Sequence, residues 1–327
     1  MKTASDSNID TETFLQKCRP KLAQLEALRI DKLGVFNVRK KLAKIISAPV
    51  LPITGFIDYW LIQLQRGNDD TAAGVTLLVV GLLYAWVTQP KRQYAKAYKT
   101  DMLPDIAEAF GDFTYEIKGK IPMSELKASN IIPYHTQYKS EDFFMGDFKG
   151  VGIRFSEIML TKKSGKNTVT VFKGLAVLLD QGVRKFQGKT ILTMDKRKPE
   201  AWFKKRISKL KPANLVDPEF EKIFDVFTND QVEARYLIDP VIIENLKTLY
   251  REYSGNKMMA SFYENNFLIL IGSNANHFEP ADIHTPATNE RELLALKSEV
   301  SQILSIVNRL SLYDPKIRRR LEAQTGT

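Results

Sequence analysis

The chain has 327 residues, 44% hydrophobic and 26% charged, a mixture that builds a core and excludes wholesale disorder and collagen-like or mucin-like chains. A mean hydropathy of −0.24 excludes a bundle made mostly of membrane spans. The formal net charge is +10, which suits nucleic acid or an anionic membrane surface equally well until its distribution is considered.

That distribution is uneven. Residues 1–44 carry a net +5, residues 45–90 a net −2 and the remainder a net +7. Positive charge flanking a nearly uncharged block is a membrane pattern, and nucleic acid is not an expected partner. A single cysteine, Cys18, permits no intrachain disulfide and no cysteine-based zinc cluster. The polar N-terminus, MKTASDSNID, has no apolar run behind a basic start, so no cleaved signal peptide is expected.

In chain order, residues 11–33 read as a helix, with Leu15, Cys18, Leu22, Leu25 and Leu28 three and four apart and Pro20 interrupting. Residues 1–44 are expected to form a cytoplasmic N-terminal segment, followed by a transmembrane hairpin over 45–90. Its second arm, 71–89, is an uncharged run of 19 residues, long enough to cross a hydrocarbon core about 30 Å thick. Its first arm, 45–65, is less clean because it contains Pro49, Pro52 and Asp58. The prolines are expected in its first turns, and Asp58 beside Tyr59 and Trp60 near the interface. Arg39, Lys40, Lys41 and Lys44 precede the pair; Lys91, Arg92, Lys96 and Lys99 follow it; the turn between holds only Arg66. The positive-inside bias then puts both termini in the cytoplasm.

Residues 91–327 read as a cytoplasmic α+β domain. GVGIRFSEIML and TVTVFKGLAVLLD alternate as strands about a Lys163–Asn167 turn, KTILTM follows, and MMASFYE and FLILIGS form a second hairpin about Asn265-Asn266. Between these groups a helix starts at Asp239-Pro240 and ends at Gly255, with Ile242, Leu246, Leu249 and Tyr253 on one face. The last helix, 289–311, is amphipathic. Its Leu293, Leu296, Val300, Ile303, Val307 and Leu310 seam is too short for a true coiled coil and is expected to pack on its own domain.

Four strings occur together: SEDFFMGDFKGVGIRFSEIML, VFKGLAVLLDQGVRKFQGKTILTMD, DPEFEKIFDVFTNDQVEARYLIDPVIIENLKTLY and MMASFYENNFLILI. From Tyr98 to Leu310 they resemble the bacterial family known as domain of unknown function thirty-one thirty-seven. Phe172, Lys173 and Gly174 match its earlier string; Phe220, Phe224, Asp230, Glu233, Ala234 and Arg235 match its central motif. The resemblance implies a pair of apolar segments before the shared domain, a bacterial inner membrane, and a second membrane-associated protein as partner. It implies no activity and no cofactor.

The chain has no phosphate loop, dinucleotide fingerprint, HExxH helix or nucleophile elbow. His277 and His284 in HFEPADIH match no zinc spacing and read as solvated loop residues. Glu157, Asp180, Asp230 and Glu233 are the acids nearest the shared strings. They would support a membrane-tethered hydrolase if paired and buried, whereas Glu233 and Arg235 otherwise cap or orient the backbone. A basic segment, Lys196 to Lys211, interleaves Trp202, Phe203, Ile207 and Leu210. Lys198, Trp202, Lys204, Lys205, Arg206 and Lys209 are the residues expected to touch an anionic lipid surface if the segment is an exposed amphipathic helix. The leading expectation is a membrane-anchored interaction or scaffold protein.

Overall fold

The computed structural model describes residues 11–64, 74–148, 151–165, 167–180, 186–194, 206–213, 217–252 and 257–309. Contacts divide the chain into two compact units. One joins Thr11–Met102 to Glu279–Leu294; the other is centred on Leu103–Phe278 and continues from Ala295.

The first unit is helical. α1 runs unbroken from Thr11 to Leu64 with Pro20, Pro49 and Pro52 inside it, and α2 runs from Gly74 to Glu108. The N-terminal helix and the first apolar arm are one continuous helix. One expectation is corrected here: the two later prolines lie in its interior rather than in first turns, so each removes an i→i−4 bond from a continuing helix.

α1 and α2 run antiparallel, as three contacts along their length record. Lys21 Nζ donates to Asp101 O at 3.4 Å. Arg39 Nη1 donates to Trp86 O at 2.8 Å and Gln89 Oε1 at 2.6 Å, its guanidinium 5.1 Å from the Trp86 ring centroid. At the far end Asp58 accepts from the backbone N–H of Val75 at 3.2 Å and Thr76 at 3.0 Å. Asp58 is buried, and it caps the first turn of α2 from the neighbouring helix, where unpaired N–H groups and the helix dipole favour an anion.

Around this end the apolar side chains face outward. Phe56 is 68% exposed, Leu77 67% and Leu64 64%, with Ile53, Trp60, Leu78 and Leu82 also exposed. Among the described helices α1 alone is long and apolar enough to cross a membrane, and its most apolar stretch is only 11% buried. Thr71–Ala73, which open the other uncharged run, lie outside the described residues.

Toward the opposite end, Phe14, Leu15, Cys18, Leu22 and Leu25 form the buried face of α1. The 279–294 segment is tied to the helix pair by charge. Arg29 grips Glu26 with two bonds of 2.8 and 2.7 Å and donates to Ile283 O at 2.7 Å, while Glu26 accepts from Ala287 N at 2.6 Å. Lys91 pairs with Asp282 at 3.1 Å and a buried Lys99 with Glu279 at 2.6 Å. Glu279 and Asp282 thus bind two of the expected basic flank residues in ion pairs, while Asp282 and His284 stay exposed, as expected of the loop. Burial pushes the nearby Tyr94 hydroxyl up to about 12.

The second unit is an α+β domain. β1 (Thr114–Glu116), α3 (Met123–Ala128), β2 (Gln137–Phe148), β3 (Val151–Ser164), β4 (Asn167–Asp180), β5 (Thr190–Thr193) and β6 (Lys211–Pro212) lead to α4 (Pro218–Ile223). β7 (Asp225–Thr228), α5 (Gln231–Leu237), α6 (Pro240–Glu252), β8 (Met258–Tyr263), β9 (Asn266–Gly272) and the part of α7 (Glu290–Arg309) from Ala295 onward complete it. The described strands form one antiparallel sheet in the order β1-β2-β3-β4-β9-β8-β5-β7-β6. β4 and β9 lie at its centre, and their continuous apolar runs, LAVLL and FLILI, are buried. One core gathers Ile121, Leu126, Ile158, Leu178, Tyr263 and Leu270; elsewhere the Phe144 and Phe155 rings stack at 4.7 Å.

The β8–β9 turn is Glu264-Asn265, with Glu264 left-handed at φ 53°, one residue earlier than the asparagine pair suggests. Asp239 Oδ1 accepts from Ile242 N at 2.8 Å and starts α6, and Asn289 Oδ1 accepts from Arg291 N at 3.2 Å at the start of α7. Leu296, Val300 and Ile303 of the last seam are buried.

Replacing Asp58 by alanine strands two N–H groups of α2. A cap loss of this kind costs about 1–2 kcal/mol, so the thermal midpoint of the purified chain should fall, with Asp58→Asn retaining most of the wild-type value.

Candidate functional site

Residues of the shared strings meet at two places in the sheet domain. The first is a cleft on β2, β3 and β4 with a volume of about 260 Å³. The antiparallel register sets Lys139, Met159 and Lys173 in one row across three strands, and Glu141 directly opposite Glu157 in the next. Residues two apart on a strand face the same side, so Lys139 with Glu141 and Glu157 with Met159 share the face that lines the cleft.

The loop leaving β9 closes this cleft. Lys173 Nζ donates to Asn274 O at 3.2 Å and Asn276 Oδ1 at 3.3 Å, and its carbonyl accepts from Ser273 N at 3.0 Å. Glu157 Oε1 accepts from His277 N at 2.6 Å. His277 Nε2 lies 3.1 Å from Ser273 Oγ, and the buried, left-handed Phe278 donates its N–H to Glu299 Oε2 at 2.8 Å. Gly174 has φ 147°, and a Cβ there would lie 2.0 Å from Ile271 O, which explains the glycine of the FKG string. Lys173 and Glu157 thus hold a loop against the sheet. The cleft also brings two carboxylates and two ammonium groups to one face, the outline of a site for a small polar ligand.

The second place is the central motif. Asp230 accepts from Val232 N at 3.0 Å and Glu233 N at 2.9 Å and caps α5. Glu233 Oε1 accepts from Gln187 N at 2.9 Å and its Oε2 from Gly188 N at 2.6 Å, while Asn229 Oδ1 accepts from Lys189 N at 2.6 Å. A Cβ on Gly188 would meet Asn229 Oδ1 at 2.7 Å. The motif is a clamp that fixes the entry to β5. Arg235 is exposed on α5. The nearby Lys247, buried on α6, pairs with Glu244 at 2.6 Å and Asp217 at 3.1 Å. Its bond to Glu244, ahead of that to Asp217, raises its ammonium pKa. No sequence signal set this lysine apart, because a charged residue within an apolar helical face reads as an exposed one.

Of the residues expected to touch lipid, Lys198, Trp202, Lys204 and Lys205 lie outside the described residues. Arg206 Nη1 donates to Ile132 O at 2.5 Å, and burial lowers its pKa. Ile207 belongs to the domain core and Leu210 packs against it; Lys209 is exposed. Among the described residues no group of three His, Cys, Asp or Glu side chains is placed to hold a metal ion.

These elements define a protein with a mixed helix and antiparallel-sheet domain and a long apolar N-terminal helix. Residues 170–312 match the family described as protein of unknown function (DUF3137). The segment runs from within β4 to past the end of α7 and includes the clamp; the SEDFF and GIRFSEIML strings precede it, so the match is shorter than the resemblance from Tyr98. No curated protein matches the chain. Among solved structures, the crystal structure of the mycobacterial trehalose monomycolate transport factor A, TtfA, aligns with 63% of this chain and 93% of its own, at 11% identity and a TM-score of 0.33. A likeness of that size carries no argument about this chain.

Two outcomes follow. Glu233→Ala leaves two backbone N–H groups without their acceptor, which costs about 1–3 kcal/mol; hydrogen exchange at Gln187 and Gly188 should quicken, while Arg235→Ala stays within about 0.5 kcal/mol of wild type. Burial holds the His277 imidazole below its ordinary 6.5, with Glu299 opposing and Lys173 reinforcing. The unfolded chain therefore binds the proton more readily than the folded one. This contribution to stability is complete above pH 6.5 and is lost as pH falls toward the depressed folded value. Denaturation midpoints measured on both sides of that window should fall with acidification in wild type and flatten in His277→Gln.

Proposed function

We propose that this chain is a membrane-anchored interaction protein. In this reading the apolar parts of α1 and α2 form a two-span hairpin that holds the sheet domain at the cytoplasmic face of a bacterial inner membrane, where it binds a protein partner or anionic lipid. The observation that carries it is the outward-facing apolar surface of the helix pair. Soluble chains rarely expose contiguous apolar patches beyond a few hundred Å², whereas hydrocarbon is the natural solvent for such a surface. Asp58 supports the reading. An acid in a span is expensive, but here its carboxylate accepts two backbone N–H groups that hydrocarbon would otherwise leave without a partner. The basic flanks orient both termini inward.

Two measurements test it. The full chain should stay with membranes through an alkaline carbonate wash. In a Cys18→Ser background, a cysteine at Asn68 and one appended to the C-terminus should label from opposite sides of the bilayer. Release by carbonate would refute the anchor, and labelling of both sites from one side would refute the two spans.

A second reading, a tethered hydrolase, draws on the facing Glu141 and Glu157 of the cleft. It predicts that Glu141→Gln abolishes turnover of an ester or amide substrate while leaving the fold intact. The interaction reading is preferred because Glu157 and Lys173 already hold the 273–278 loop.

A further inference from the structure

Within the helix pair a groove of about 310 Å³ opens to the surface between α1 and α2. Its polarity changes along its length. At one end are Lys40 and Lys44, one helical turn apart, both exposed, with Lys40 Nζ 5.9 Å from the Phe36 ring centroid. Between and beyond them Ala43 and Ser47 leave the space that larger side chains would fill. Away from the lysines the walls are apolar, Leu51 from α1 and Val80 and Leu83 from α2, while Tyr84 and Val87 lie nearer the lysine end. From Lys40 to Leu51 the groove follows the helix for roughly 16 Å. Among the described residues no acidic side chain lines it.

We infer that this groove is a binding site for one anionic phospholipid, its phosphate between Lys40 and Lys44 and an acyl chain along Leu51, Val80 and Leu83. The inference rests on the anchored reading above and deepens it. Three features select the occupant. Two ammonium groups without a facing carboxylate complement a net negative headgroup and disfavour a zwitterionic one whose cation would share the site. The apolar walls suit hydrocarbon and the volume suits a chain, whereas a docking helix about 10 Å across does not fit. The change from charge to apolar wall along one line has the head-to-tail order of a lipid, at the end of the pair away from Asp58, where the basic flank meets the bilayer surface.

The test uses the full chain in nanodiscs of equimolar phosphatidylglycerol and phosphatidylcholine, with native mass spectrometry of the released protein. Wild type should retain one phosphatidylglycerol at roughly thirtyfold excess over phosphatidylcholine, the scale expected from two lysines near an anionic headgroup. Lys40→Gln/Lys44→Gln should abolish the preference. Ala43→Leu, which fills the groove without changing charge, should weaken it, and Lys41→Gln, on the same helix outside the lining, should leave it intact. Equal retention of the two lipids, or an equal loss in Lys41→Gln, would overturn the site while leaving the anchor standing. A chain that stays soluble and never enters the nanodisc would overturn the anchor and the site together.

Discussion

The Asp58 carboxylate accepts from the N–H groups of Val75 and Thr76 in the middle of an otherwise apolar surface, and the constraint it meets governs much of this molecule. A backbone N–H that leaves regular structure away from water needs an acceptor. In this chain a carboxylate supplies it repeatedly. Glu26 serves Ala287, Glu157 serves His277, Glu299 serves Phe278, and Glu233 serves Gln187 and Gly188. Each such bond involves a charged partner and is stronger than a neutral one, so one side chain can fix a loop that has few apolar contacts of its own.

This use of acids also shapes what the sheet domain can do. Glu157 and Glu233 sit in strings that invite a catalytic reading, yet both carry backbone N–H groups as partners, and Asp230 is an N-cap. The sheet brings Glu141 opposite Glu157 because antiparallel register pairs residues far apart in sequence, but Lys173 and the 273–278 loop share the same ground. The family-matched segment, 170–312, therefore has an architectural core whose polar residues hold its irregular parts in place. Its surface chemistry rests on what remains exposed, Arg235 and Lys209 among them.

The helix pair follows a different logic. Its apolar residues face outward near Asp58 and inward near Phe14, so one continuous helix serves two environments. Pro49 and Pro52 lie between these regions. The charged residues of the 279–294 segment answer the basic positions of α1 and α2, which turns Lys91 and Lys99 from a flank of free cations into ion-paired anchors and leaves Lys40 and Lys44 as the exposed pair at the mouth of the groove.

Local pattern alone determined a good deal. Alternation and turn residues located β3, β4, β5, β8 and β9, Asp239-Pro240 located the start of α6, and the 3-4 spacing located α7, because these signals act over a few neighbouring residues. The uncharged run and its basic flanks were equally legible. Tertiary structure decided the rest. β2, with its bulge between Glu141 and Phe144, and the short β1, β6 and β7 have no clear alternation, since only pairing makes them strands. That one helix carries through three prolines, that Arg206 turns inward to Ile132 O, and that Lys247 is buried among Asp217, Glu219 and Glu244 depended on partners distant in sequence. A side chain's charge is written in the sequence; what it faces is set only when strands and helices from elsewhere in the chain arrive beside it.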